Sequence, residues 1–473
     1  MALYGYLSAL QSLLWLTFSS VPESSKAFLG TNDDTLSLFL DWGPVAFCFS
    51  VFPAQYLLST SRTGLRDSIR LGYALCLFAA LLRLFPIFIT DAQRAEQGTL
   101  HSASLACVHI AQFINGAVAP LAVASPSYLS LLWFPEEERN SATAIANVSN
   151  ALGRAVGFFL GPALVHGAGD VKTLLLVCVG CAALPCLAAL AFLPALPQQP
   201  PSAAAEREAA RWANHAPQEP HWQVLEDADA AAGKPPPPAT AISPSMAEAL
   251  AQAGRACSHA PFLAACLSGG VTMAFFGAWS GELTPALTAG GAFTDAQAGS
   301  IGSLCTFAGI AGGIAAGAAT DAPLLQRSLK AVIAGLALAS AALFLPLALA
   351  LPPLSGVLPP AASAWLSFPT LMALCGAAGF LRGGMDPLFF ELASDTAWEV
   401  GVGADMAGSV LTLLYHLLLC ATLSMPAKPL MAIVLVGMPV ALVVGVGLLA
   451  LVRVGYGRRG GQGEGYDKLL VNA

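Results

Sequence analysis

Charge is what this chain has least of. Asp, Glu, Lys and Arg together make up 10% of its 473 residues, against 56% hydrophobic residues, and the mean hydropathy is +0.68. A soluble domain of this size must cover its surface with charge, so the composition excludes one. Chemistry-bearing motifs are missing as well. There is no H-E-x-x-H, no G-x-S-x-G, no closely spaced His/Asp cluster and no G-x-x-x-x-G-K-[ST], which argues against an integral-membrane hydrolase and against ATP-driven work. No enzyme activity, cofactor or metal is expected, and nothing resembles a nucleic-acid-binding surface. The first apolar run lacks a basic n-region and a clear small-residue cleavage site, so it reads as a retained helix. None of the eleven cysteines falls in a loop expected outside the cytosol, so no disulfide framework is indicated. Cys178 and Cys181 form a C-x-x-C inside an apolar run, where two small buried residues are a better reading than a redox or metal pair.

What is present is a series of twelve apolar stretches, each about the 20 residues needed to cross a bilayer. They lie near 3–22, 36–58, 68–90, 104–131, 141–165, 171–194, 259–282, 297–319, 329–351, 364–390, 403–424 and 429–452. The runs are continuous and do not alternate at period two, which favours helices over barrel strands. The class is therefore an all-α membrane protein of twelve transmembrane helices in two six-helix bundles, 1–194 and 259–453, with a linker at 195–258 and a tail at 454–473. The linker contains the run Pro235 to Pro238 and a mixture of both charges, a composition suited to an irregular tether with one short surface helix. Lys and Arg concentrate in the even-numbered gaps and the tail. Only Lys26, Arg94, Lys172 and Lys428 fall on the other side, which places both termini and the linker in the cytosol. Two similar halves joined this way is the layout in which a solute sits between repeats near the midplane.

The segment Trp133 to Pro162, WFPEEERNSATAIANVSNALGRAVGFFLGP, resembles the span 4 to span 5 signature of the feline leukaemia virus subgroup C receptor-related family of the major facilitator superfamily. Further matches follow in order along nearly the whole chain. They are Trp15, Trp42-Gly43-Pro44, Gly64-Leu65-Arg66, Leu82-Arg83, Gln112, Asn115-Gly116, Gly277 to Gly281, Phe389 to Leu392 and Tyr466-Asp467, and they bring the chain nearest to the disrupted in renal carcinoma 2 branch. The resemblance implies a major facilitator fold and carriage of a small organic nutrient. Its members are linked to choline, haem and, in the nearest branch, proton-driven pyridoxine export from lysosomes. Departures weigh against a choline site: Ala119 and Leu414 stand where choline carriers have glutamines, and Gly277 where they have a cation-binding tyrosine. The expected function is secondary transport of a pyridoxine-like solute by alternating access. A choline or haem carrier of the same family and a non-transporting membrane receptor or sensor are the alternatives. A monomer is expected, in a lysosomal or vacuolar membrane or, alternatively, the plasma membrane. Tyr466 and Leu469 fit a Y-x-x-Φ sorting pattern on the tail.

An ionisable side chain inside a span must face a partner or a watery cavity. Asp41 and Arg83 lie at similar depth and read either as a structural ion pair or as gating residues. Arg154 interrupts a glycine series, Gly153, Gly157 and Gly161; it reads as a contact for an anionic group or as a side chain reaching to headgroups. A second series, Gly309, Gly313 and Gly317, marks span 8, and both read as tight packing or as seams on which the halves slide. His416, His109 and Glu282 are candidate proton carriers, the bland reading being a packed histidine or a helix-end carboxylate. Trp15 and Trp279 occupy spans 1 and 7, where facing aromatics can stack on a heteroaromatic ring. Gln112 and Asn115 share a helix face and carry both donors and acceptors for such a solute. Arg66, Asp321, Arg382, Asp386 and Glu391 read as a cytosolic latch.

Overall fold

A computed structural model describes residues 1–59, 63–123, 126–135, 138–197, 199–201, 205, 246–288, 293–320, 328–350, 367–402 and 404–452. The expected tail and most of the expected linker lie outside the described residues. Twelve long helices carry the described chain: α1 (Ala2–Leu16), α2 (Asp33–Ser59), α3 (Gly64–Leu82), α4 (Thr99–Val123), α5 (Arg139–Leu164), α6 (Val171–Phe192), α7 (Ala260–Thr288), α8 (Asp295–Thr320), α9 (Leu329–Ala350), α10 (Phe368–Trp398), α11 (Ala404–Leu423) and α12 (Ala427–Ala450). Short helices, among them Pro22–Leu29 and Met246–Ser258, complete the described residues, which contain no strand.

Local chemistry explains why α1 is shorter than its apolar run. The hydroxyls of Thr17, Ser19 and Ser20 bond back to carbonyls three residues earlier, a competition that weakens helical continuation. Pro22 then starts a new helix at the position where its missing N–H costs nothing, and Gly30 ends that helix in the left-handed region at φ 65°. The loop is pinned by Lys26, whose ammonium reaches Asp33 (2.5 Å) and Glu23 (2.8 Å). Burial pulls the Lys26 pKa down, but these hydrogen bonds outweigh it and hold it above the usual lysine value.

Among the described residues, eight helical segments are long and apolar enough on their own to span a bilayer. Four expected spans are not among them. The first is cut short at Leu16, and the last qualifies as a shorter apolar helix over Leu435–Ala450. The other two, α5 and α10, hold polar residues such as Asn150 and Arg154, or Arg382, Asp386 and Asp395, that lower their hydropathy. Such helices are stable in a membrane when their polar face meets protein.

Packing repeats between the two sets of six. In the first set α1 lies on α5, α2 on α4, and α3 between α4 and α6; in the second, α7 lies on α11, α8 on α10, and α9 between α10 and α12. One apolar core is drawn from α1–α6 and their loops. Another is drawn from α7–α12 and takes in Trp15, Leu16, Leu40 and Phe158 from the first set. Those four residues mark where the sets meet. The principal contacts across the midline are α5 with α8 and α2 with α11.

The glycine series serve a different purpose from the sliding seams considered above. A Cβ at Gly157 would lie 3.6 Å from the Leu16 Cβ; Gly153 and Gly157 face α1 of the same set, and Gly161 faces Ser20 and Val21 just beyond its end. Gly309 and Gly313 face Gly379 and Gly383 of α10, with Cβ-to-carbonyl approaches of 3.1 and 3.2 Å. Both series bring backbones together inside one set of helices, as small residues do in membranes. Gly317 is in α8 too, but the described contacts do not extend to it.

Candidate functional site: a charged cleft between two helix sets

The two midline seams both have contacts toward one end of the helices. On one, Phe158 packs over Gly299 and Gly302 and Ser303 donates to the Ala155 carbonyl at 3.0 Å. On the other, the Ser424 hydroxyl lies 3.1 Å from Asp41 Oδ2, and the His416 ring stacks on Phe47 with centroids 3.5 Å apart. Between the seams the Trp15 indole donates to the Leu40 carbonyl at 2.9 Å, and its ring edge faces Gly281 of α7. Phe158, Gly299, Leu40, Asp41, Gly281 and Ser424 all lie near the ends of α2, α5, α7, α8 and α11 opposite to the bundle's termini, a surface we call the far face. Trp15 sits in the last turn of the shortened α1, not at mid-span as the longer predicted helix implies, and so forms a ceiling beneath that face.

Below the ceiling lies a group of charges. Arg382 is buried near the middle of α10, paired with Asp386 at 2.5 Å, and its guanidinium is 4.5 Å from the Phe276 ring centre of α7. The Asp386 side chain remains 42% exposed. Across the midline Arg154 of α5 lies within electrostatic range of Tyr415, Asp386 and Arg382. The main midline contact of α5 is with α8, and Arg154 and the Asp386 side chain both keep part of their surface exposed; we read the space between them as a cleft. Behind it, Arg154 donates to Asn150 Oδ1 at 2.8 Å, Asn150 reaches Gln11 Oε1 at 3.4 Å, and Gln11 and Asn115 bond each other's backbone carbonyls at 3.3 and 3.1 Å. This chain of amides, drawn from three helices, fixes where the guanidinium points. The guanidinium is held one turn toward the start of α5, against Asn150.

Several expected site residues have other employment. Asp41 and Arg83 do not pair: Arg83 is fully buried and donates to the Leu14 carbonyl (2.8 Å), Thr17 and Gln112. Gln112 therefore lends its oxygen to Arg83, and Asn115, equally buried, is spent on Gln11. Neither faces the cleft. Trp279 stacks on Phe276 and meets Phe344 of α9 edge-on inside the second set, so it does not face Trp15. Glu282 is 1% exposed. Neither of its oxygens meets a donor in hydrogen-bonding geometry, although Ser37 of α2 lies beside it. The buried position replaces the solvated helix-end alternative. His109 Nδ1 accepts from the Trp42 indole at 2.8 Å and so is unprotonated at that nitrogen, whereas His416 Nδ1 faces the Thr412 carbonyl at 2.8 Å and carries a proton.

The expected latch divides. Arg66 pairs with its neighbour Asp67 at 2.9 Å, and Glu391 is exposed farther along α10. Asp321 lies outside the described residues. The i, i+4 pair of Arg382 and Asp386 forms as predicted, but at mid-helix instead of at a cytosolic end. Arg154 stood out as an arginine among glycines, whereas Tyr415 was the least legible member, since a tyrosine beside a histidine signals nothing until α5, α10 and α11 are placed together.

The model of the Major Facilitator Superfamily matches residues 7–420. Among relatives, the solute carrier family 49 member 4 homolog of Xenopus tropicalis is 26% identical over 424 residues, covering 85% of this chain and 78% of its own length. The choline/ethanolamine transporter FLVCR1 of Felis catus is 28% identical over 215 residues, which is 43% of this chain and 34% of that protein. Among solved structures, the xylose transporter XylE from E. coli in a partially occluded inward open conformation superposes with a TM-score of 0.62 at 14% identity, over 96% of this chain and 97% of that one. These relatives include members of the family that the residue matches pointed to, and the common fold is that of transporters, not of enzymes. By the extent of the family match and the repeated six-helix packing, this multi-pass membrane chain belongs to the major facilitator superfamily.

Proposed function

We propose that the chain is a secondary transporter that carries a small organic solute by alternating access, with residues 1–194 and 259–453 as the two moving halves. The observation that carries this reading is the distribution of midline contacts. The Phe158–Gly299 and Asp41–Ser424 contacts and the Trp15 ceiling lie toward the far face, with the Phe47–His416 stack deeper on the second seam, while Arg154 and Asp386, each with part of its surface open, and the buried Arg382 lie farther from that face. A solute reaching those charges would enter from the face bearing the termini. Rocking about the mid-level would then break the seams and close the other side.

Within that class we favour a pyridoxine-like solute coupled to protons. The likeness to the family 49 member 4 homologs supports the class, and the buried Glu282 at the α2–α7 contact supports the coupling. Its neighbour Ser37 belongs to the opposite half, so opening the far face would hydrate the carboxyl and closing it would bury it again. His416, sandwiched against Phe47 across the same seam, is the second candidate. Choline fits less well, because Arg154 repels a quaternary ammonium and the Tyr415 hydroxyl fills the space over Gly277, 3.0 Å from where a Cβ would stand. The basic side of the sequence places the termini in the cytosol, and the tail motif supports a lysosomal membrane for a protein acting as a monomer.

The test is a disulfide between positions 41 and 424. With Cys48 and Cys420 replaced by serine, the Asp41→Cys/Ser424→Cys variant is expected to cross-link under mild oxidation, to lose solute flux in proteoliposomes, and to recover it on reduction. Flux that survives complete cross-linking overturns the alternating-access reading.

A further inference from the structure

The cleft holds two guanidiniums and one nearby carboxylate, and the carboxylate is taken. Asp386 sits 2.5 Å from Arg382 on the same helix, whereas Arg154, on the opposite half, has one hydrogen bond, to the neutral Asn150. Among the described residues no carboxylate lies within ion-pairing distance of Arg154. We propose that Arg154 is the anchor for an anionic oxygen of the transported solute, which would be held at mid-membrane between α5 and the Arg382–Asp386 pair. The inference rests on the transporter reading and names the solute's charge class: a carboxylate or a phosphate monoester.

Three features favour a ligand over a structural role. Arg154 is partly exposed and faces space, while Arg83, the other arginine of the first half's interior, is fully buried with its fork occupied by Leu14, Thr17 and Gln112. The Asn150–Gln11–Asn115 chain occupies one Arg154 donor, and among the described residues the other Arg154 donors have no hydrogen bond. Finally, Arg154 and the Arg382–Asp386 pair belong to different halves. An unpaired arginine can be tolerated while the cleft is wet, but closing the cleft around it strips its water without a partner, which is strongly unfavourable. An anion supplies that partner. Loading with an anionic solute therefore removes a barrier to closure, and the empty carrier is held back from changing face.

The experiment compares wild type with Arg154→Gln and Arg154→Lys, each accepted for comparison after eluting as a monodisperse species. Thermal stabilisation in detergent and counterflow in proteoliposomes are measured with matched probes: nicotinate against nicotinamide, 4-pyridoxate against pyridoxine, and pyridoxal 5′-phosphate against pyridoxal. Wild type should prefer the anion of at least one pair, and Arg154→Gln should weaken that anion about tenfold, a loss of about 1.4 kcal/mol, while leaving its neutral partner unchanged. Arg154→Lys should retain part of the preference. Whether the carboxylate or the phosphate pair responds separates the two sources of charge. Equal responses of wild type and Arg154→Gln in every pair overturn the inference. If anions stabilise wild type through Arg154 but nothing moves in counterflow, the anion site stands and the transporter reading fails; if neutral solutes move regardless of Arg154, the reverse holds.

Discussion

At the scale of single residues, burial and hydrogen bonding separate side chains that composition treats alike. Arg83 and Arg154 are both arginines inside spans, yet one closes the end of α1 and the other faces a cleft. Replacing Arg83 by Met leaves the Leu14 carbonyl and the Gln112 amide short of a partner, and should lower stability by about 2 to 3 kcal/mol. Thermal unfolding in detergent measures this, and the ratio of anionic to neutral solute uptake should stay the same in whatever fraction folds. Glu282 gives the complementary case. Glu282→Gln keeps the shape and removes the titration, so it should abolish the dependence of net uptake on an imposed pH gradient while sparing exchange of preloaded solute. Exchange needs alternating access alone, and net flux must also return the protonation site. Should pH dependence survive intact, His416 across the α2–α11 seam becomes the carrier to test. Of the ionisable residues, the sequence made their presence in spans plain; it could not show that Asp41 would meet Ser424 and not Arg83, because that depends on the turn at Thr17–Val21 that ends α1 early.

Among helices, small residues decide which neighbours touch. The closest approach is α8 on α10, where Gly309 and Gly383 face each other with no room for a side chain. Gly383→Val should drive the helices apart and yield aggregated protein in size-exclusion chromatography. Gly180→Ala on α6, where a Cβ meets nothing within 4 Å, should leave elution unchanged and alter stability by no more than about 1 kcal/mol. Helix number and order were legible from hydropathy because each span must satisfy its own backbone in lipid. Pairing was not. A glycine repeat announces a close partner without naming it, and the described members of both repeats serve contacts within a set of six helices, leaving the α5–α8 midline contact to Phe158, Gly299 and Gly302.

For the whole molecule, twofold repetition of packing was readable from two groups of six apolar runs, and the residue matches to a transporter family agreed with the superfamily found. The position of the cleft was less so, since Gln112, Asn115 and Trp279 have the right chemistry and the wrong facing. The orientation proposed from the basic residues can be checked directly. In otherwise cysteine-free protein, Phe293→Cys should react with an impermeant maleimide added to the non-cytosolic side, and His259→Cys should react from the cytosol. Opposite labelling inverts the topology. One further consequence comes from the ceiling formed by Trp15 and Leu40. A ligand that fills the charged cleft but is too bulky to be carried would have access from one compartment alone. Its potency would be sided, and by wedging the open face it would lengthen the lifetime of the far-face contacts, so that it acts as a conformational lock instead of a simple competitor for solute.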